Sequence, residues 1–291
     1  MIDYNPKNWF GLIFQFHRSD TFRKMTWVLL AFGIYTFLVV YLELKYQDWF
    51  NFKGTTQIHS LLGFVIGLLL VFRTNTAYER WWEGRKQWGS LVNNTRNLSF
   101  KINSILPASM TAERIYFKKM IPNYVYAMKE HLRQGVLVEE LDGLSKELLE
   151  KVEMAEHVPN IIAKDMYTKL HKLYKENSIT GDQLITIDGE IKSLTDILGA
   201  CERIRKTPIP YSYSLFLKKF IFAYTLTMPF GLAYDFNYWT IPITTFILYV
   251  FGSIELLAEE IENPFGIDTN DLPTDRLAKT IKSNVIEIID A

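Results

Sequence analysis

Apolar positions cluster in four runs along the chain, at residues 25–41 (MTWVLLAFGIYTFLVVY), 58–72 (IHSLLGFVIGLLLVF), 220–233 (FIFAYTLTMPFGLA) and 239–254 (WTIPITTFILYVFGSI). Each is at or below the roughly 17 to 25 residues of a membrane-spanning helix, but they come as two pairs. Trp27, Tyr41, Trp49, Tyr234, Tyr238 and Trp239 stand near their ends, where amphipathic rings favour the membrane–water interface. Four transmembrane helices are therefore predicted. The second run has no stop signal: it passes without proline into RTNTAYERWWEGRKQWGSLVNNTRN, residues 73–97, so one long helix is expected to leave the bilayer. Inside it Phe64, Leu68 and Phe72 recur at every fourth position and stack along one helix face. Such a stripe either packs against a neighbour or lines a path. Gly63 and Gly67 form a G-x-x-x-G, whose ordinary role is close helix packing in a bilayer.

The sequence between the two pairs has a different period. Residues 111–133, 138–158 and 163–176 carry apolar groups at three- and four-residue intervals, the pattern of amphipathic helices. Pro107, Pro122, Pro159, Gly135 and Gly181 mark boundaries or kinks. A further helix is expected from Thr180 to Arg205, stopped at Thr207-Pro208-Ile209-Pro210, because a residue before proline is pushed out of the helical region. The fold class is thus all-α. Its parts are an N-terminal segment 1–24, transmembrane helices 1 and 2 in 25–72, a helical domain 73–213, transmembrane helices 3 and 4 in 214–258, and a C-terminal segment 259–291 with an acidic loop.

Charge orients this plan. Arg18, Arg23 and Lys24 precede the first run, Arg73, Arg80, Arg85 and Lys86 follow the second, and Arg203, Arg205, Lys206, Lys218 and Lys219 precede the third. By the positive-inside rule both termini and the middle domain face the cytoplasm, which predicts a multi-pass protein of the cell (inner or plasma) membrane. The N-terminus lacks a short apolar core followed by a small-residue cleavage site, so no cleaved signal peptide is expected. Across 291 residues, 32 basic side chains balance 32 acidic ones while 48% of positions are hydrophobic. That balance suits spans joined to a water-facing part and leaves no basic excess for a nucleic-acid partner.

Candidate chemistry is sparse. The chain contains no H-E-x-x-H, G-x-S-x-G or G-x-x-x-x-G-K, so no enzyme is predicted. His17, His59, His131, His157 and His171 are scattered without a pair at ligand spacing, and Cys201 is the sole cysteine, read as a small buried residue in a reducing compartment. After Glu255, Glu259 and Glu260, the run IENPFGIDTNDLPTD at residues 261–275 offers the hard oxygens of Asp268, Asn270, Asp271 and Asp275. Such ligands suit calcium or magnesium. It is not an EF-hand, since Pro273 and Lys279 replace the required glycine and glutamate. The alternative is a solvated acidic turn before a short helix from about Thr274.

FRTNTAYERWWEGRKQWG after the second run, CERI and TPIP before the third, and IENPFG with D-x-x-D after the fourth resemble the bacterial bestrophin homologues over nearly the whole chain. The resemblance implies a homopentameric ion channel in the lipid bilayer, with an axial pore through four transmembrane helices per subunit and a cytosolic helical domain. It places an apolar neck on Phe64, Leu68 and Phe72, the stripe that helical spacing had singled out. Three stacked apolar rings of this kind can gate by dewetting.

The resemblance also implies a second, cytosolic aperture, which ungapped counting from TPIP places at Asp182, with Ile179 and Ile185 one turn to either side. A ring of Asp182 would attract cations, whereas either isoleucine would make an apolar rim. Animal relatives bind calcium after the last span. Asn263, Asp268 and Asp271 match those positions, with Glu260 where the relatives carry an amide, so calcium is a candidate ligand although the bacterial members are not thought to need it. The bacterial character of the motifs favours monovalent cations, sodium or potassium, as the permeant ions. Chloride is the alternative, and a non-conducting membrane-anchored scaffold, a transporter and an enzyme are the other classes.

Overall fold

The computed structural model describes residues 20–46 and 55–291. His17, Arg18, Trp49 and most of the N-terminal segment 1–24 lie outside them. The helices are α1 (Asp20–Lys45), α2 (Thr55–Ile105), α3 (Thr111–His131), α4 (Lys146–Glu153), α5 (Val158–Lys175), α6 (Gly181–Lys206), α7 (Tyr211–Phe236), α8 (Thr240–Glu262) and α9 (Thr274–Asp290). Single 3-10 turns sit at Val138–Glu140 and Asn237–Trp239. Among the described residues there is no strand. Three stretches are long and apolar enough to cross a membrane, Thr21–Lys45, Thr56–Ile105 and Tyr211–Glu262. The last is divided by the 3-10 turn, where Asn237 adopts a positive φ of 49° and ends α7.

Helix α2 runs for 51 residues, about 75 Å at 1.5 Å per residue. A single buried line explains its length. Ile66, Leu70, Arg73 and Ala77, then Gly84, Trp88, Leu91, Thr95, Leu98 and Ile102, are all buried, at intervals that follow one helix face. Thr74, Thr76, Thr95 and Ser99 turn their hydroxyls onto carbonyls one turn back, so these poor helix formers satisfy themselves without breaking it.

The chain divides into two compact units. One contains described residues 20–46, 55–80 and 208–262. Its core joins Ile66 and Leu70 of α2 to Leu217, Ile221, Tyr224 and Met228 of α7, while α1 packs on α7 and α8. Tyr35 Oη donates to the Leu226 carbonyl at 2.8 Å. The G-x-x-x-G separates into two different positions here. A Cβ on Gly63 would lie 2.7 Å from Tyr224 Oη, whereas nothing stands within 4 Å of one on Gly67. Because Tyr224 is buried among α2 and α7, we expect Gly63→Ala to lower the melting temperature and Gly67→Ala to leave it within error, in thermal scans of purified protein. Equal effects at both positions would contradict this packing.

The other unit holds residues 81–207 and 263–291. Trp88, Leu98 and Ile102 of α2, Phe117 and Tyr124 of α3, Ile162 and Met166 of α5, and Ile187 and Leu194 of α6 form its core. Tyr124 Oη finds a partner in the Leu194 carbonyl at 2.9 Å, as a buried phenol requires. Cys201 is buried there and burial pushes its thiol up to about 12, which leaves it unreactive. The C-terminal residues pack: Ala278, Ile281, Val285 and Ile289 bury one face of α9. Lys129, itself buried, is neutralised by Glu130, Glu140 and Asp275 at 2.8, 2.7 and 3.0 Å. Arg133 and then Lys129 hold the Asp275 carboxyl down to about 2 against its partial burial.

One expectation is corrected in detail. Residues 138–158 are not one amphipathic helix but a 3-10 turn, a loop with Gly143 at φ 66°, and the eight-residue α4. Ser145 starts α4 by accepting from the Leu148 amide. The left-handed glycine and the cap outcompete the apolar spacing. Of the prolines read as boundaries or kinks, Pro122 lies buried inside α3. The units divide at Arg80/Trp81, Thr207/Pro208 and Glu262/Asn263, and Arg73, Glu255 and Glu262 form an ionic group inside the unit that holds the apolar helices, the membrane-type unit.

Candidate functional site

On α2, residues two apart lie about 200° around the axis, nearly opposite one another. With Ile66 and Leu70 buried, Phe64, Leu68 and Phe72 are therefore turned outward, at 71%, 47% and 56% exposure. All three belong to the same unit and helix, and none of them is a member of its core cluster. Leu61, Val65 and Val71 are exposed beside them, so the single chain shows a broad apolar face with the stripe along it. An exposed face of this kind is covered by lipid, by another copy, or faces an apolar constriction.

Immediately below the stripe in sequence, Arg73 is 1% exposed. Its Nη2 is 2.7 Å from Glu262 Oε2 and its Nε 3.4 Å from Glu255 Oε2. Glu262 is a junction: its Oε1 accepts from the Ile209 amide at 2.7 Å, and its carbonyl accepts from Arg80 Nε at 3.0 Å. Charge counting assigned Arg73 and Glu255 to the flanks of the spans. Only their spacing just past the second and fourth apolar runs hinted at a pair.

The aperture candidates separate on burial. Ile179 is 4% exposed and belongs to the core of the helical unit. Ile185 is 72% exposed, and Asp182 is exposed in the first turn of α6. A capping box fixes this turn, with Thr180 Oγ1 accepting from the Gln183 amide and Gln183 Oε1 from the Thr180 amide.

The calcium candidates fall in different settings. Glu260 pairs with Lys24 at 2.7 Å. Asn263 and Asp268 are exposed, while Asp271 is buried and its Oδ2 accepts the Asp268 amide at 2.6 Å. The loop closes on itself further: the Asp271 amide donates to Asp268 O, the Leu272 amide to Pro264 O, and Trp81 Nε1 to Asn270 O. A calcium cage needs six to eight converging oxygens, and in this loop one carboxylate oxygen of Asp271 is already taken by the Asp268 amide.

Among the described histidines, the structure brings His131 and His157 together. Both Nε2 atoms contact Glu202 Oε1, at 2.7 and 2.8 Å. Sequence spacing carried no sign of this, since the contacts span 71 and 45 residues and three helices.

Comparison with known proteins gives these features their context. The family model described as bacterial/fungal bestrophin protein matches residues 1–287. A voltage-dependent anion channel-forming protein of Synechocystis is 36% identical, over 98% of this chain and 93% of that protein. One of Escherichia coli K12 with the same description is 30% identical, over 100% and 94%. The crystal structure of a bacterial bestrophin homologue from Klebsiella pneumoniae superposes with a TM-score of 0.84 at 27% identity, covering 91% of this chain and 98% of that one. A match of the family model to nearly every residue, joined to the long α2 and its outward stripe, means that this chain is a member of the bestrophin family of ion channels, in its bacterial and fungal branch.

Proposed function

We propose that this chain assembles as a homopentamer in the cell membrane, with four transmembrane helices per subunit and both termini in the cytoplasm, and conducts monovalent anions such as chloride. The outward turn of Phe64, Leu68 and Phe72 carries the reading. One copy cannot enclose a path with a single stripe, whereas a heterologous contact that closes makes a ring of them. Monovalent-cation permeability, expected from the motifs, finds no support among the relatives: the curated ones are described as anion channel-forming. The scaffold, transporter and enzyme alternatives find none either.

The neck is assigned to Phe64, Leu68 and Phe72, and the aperture to Ile185 with Asp182, without the buried Ile179. Apolar rings do not choose the sign of an ion, so the choice falls to charged residues at the vestibules. One observation favours cations as a second reading, namely that Asp182 is exposed. Liposomes containing the purified protein under a sodium chloride gradient distinguish the two. We expect a reversal potential near that of chloride; a value near that of sodium would establish the second reading. A monomeric mass in detergent would remove both.

A further inference from the structure

His131 is the last residue of α3, His157 caps the N-terminus of α5, and Glu202 lies near the C-terminal end of α6. Helix rise puts Glu202 about 25 Å from Ile185, so this cluster is separate from the aperture candidates. Its ligating atoms all lie within 4.8 Å of one another, and the imidazole centroids are 4.2 Å apart. Among the described residues it is the sole group of three or more His, Cys, Asp or Glu side chains so arranged. The three side chains are half-buried, which leaves one side open to water.

We propose that His131, His157 and Glu202 bind a divalent cation of the zinc class, tying the C-terminal ends of α3 and α6 to the start of α5. Two imidazole nitrogens and a carboxylate are the donors that zinc takes in three-ligand sites with an open fourth position, and they are a poor set for calcium or magnesium.

Binding requires two adjustments. Zinc bonds of about 2.0–2.1 Å at tetrahedral angles set ligand atoms about 3.3 Å apart, so the present 2.7 and 2.8 Å contacts must open slightly. In the metal-free state the Asn160 amide donates to His157 Nδ1, which puts the ring proton on Nε2 facing Glu202. On binding, both Nε2 atoms that face Glu202 lose their protons so that their lone pairs can bond the metal; at His157 a proton passes through solvent to Nδ1, releasing the Asn160 amide. The lost cap opposes binding, and the metal then holds the three helix ends that the hydrogen bonds held before.

The test uses chelator-stripped, full-length protein in detergent, titrated with zinc chloride by calorimetry and with cobalt(II) by visible absorption. One zinc per chain is expected, with ligand-field bands from cobalt, a raised melting temperature, and no response to calcium or magnesium. His131→Ala should weaken zinc at least about tenfold, the scale on which metal sites respond to lost support, and abolish the cobalt bands. It removes the bond to Glu202 but leaves the His157 cap, so a small fall in melting temperature without zinc is expected, and zinc binding is compared with wild type at a temperature where both are folded, which separates ligation from folding. Glu202→Gln should weaken zinc similarly. No saturable zinc binding, an equal response to calcium, or unchanged binding in His131→Ala would overturn the proposal. None of these outcomes depends on whether the protein conducts.

Discussion

Replacing Phe64, Leu68 and Phe72 together with alanine should raise single-channel conductance several-fold and leave the assembly intact. The two halves of this expectation have separate causes. All three side chains are exposed in the single chain, so truncating them opens no cavity in its core, and the large penalties of core truncation do not apply. In a ring of copies the same atoms would narrow and dry the path, and removing them widens it and lets water stay. The measurement is current through planar bilayers, with mass in detergent as the control. Unchanged conductance with a lower melting temperature would mean that the stripe packs against a neighbouring copy and does not face the ions.

That stripe was legible because helical periodicity acts locally: bulky groups at every fourth residue share a face whatever surrounds them. The same logic found α6, where Thr180 and the proline pair at 208 and 210 bound the helix on both sides. It failed at residues 138–158, where one glycine in the left-handed region and one serine cap decide the backbone over twenty residues of helical spacing. It could not reach the side-chain clusters. His131, His157 and Glu202 meet because three helix ends converge, and Ile179, one turn from Asp182 in sequence, drops into the core because it precedes the cap. Such outcomes belong to packing, and spacing along the chain does not encode them. The sign of the permeant ion is a further step removed, since it depends on which charges would line the path of the proposed assembly.

Arg73→Met should be the most destabilising single change in the membrane-type unit. Arginine at this position is 1% exposed and faces Glu255 and Glu262. Removing one member of a buried ionic group leaves the others uncompensated, at a cost of about 3–5 kcal/mol. At 2–4 °C per kcal/mol for a chain of this size, the melting temperature should fall by roughly 10 °C. The triple change Arg73→Met, Glu255→Gln, Glu262→Gln should recover part of this, since it removes the orphaned charges; recovery stays partial because Glu262 also accepts from the Ile209 amide at the approach to α7. Arg73 also bears on the proposed pore. It shares the buried face of α2 with Ile66, Leu70 and Ala77, and fixing that face fixes the direction in which Phe72, one residue earlier, can point. Arg73→Met should therefore broaden the distribution of conductance levels at temperatures where the protein is still folded. A melting temperature within 2–3 °C of wild type, a spread no larger than the scale of about 1 kcal/mol typical of surface ion pairs, would show that the triad is solvated in the membrane and does not set the orientation of the stripe.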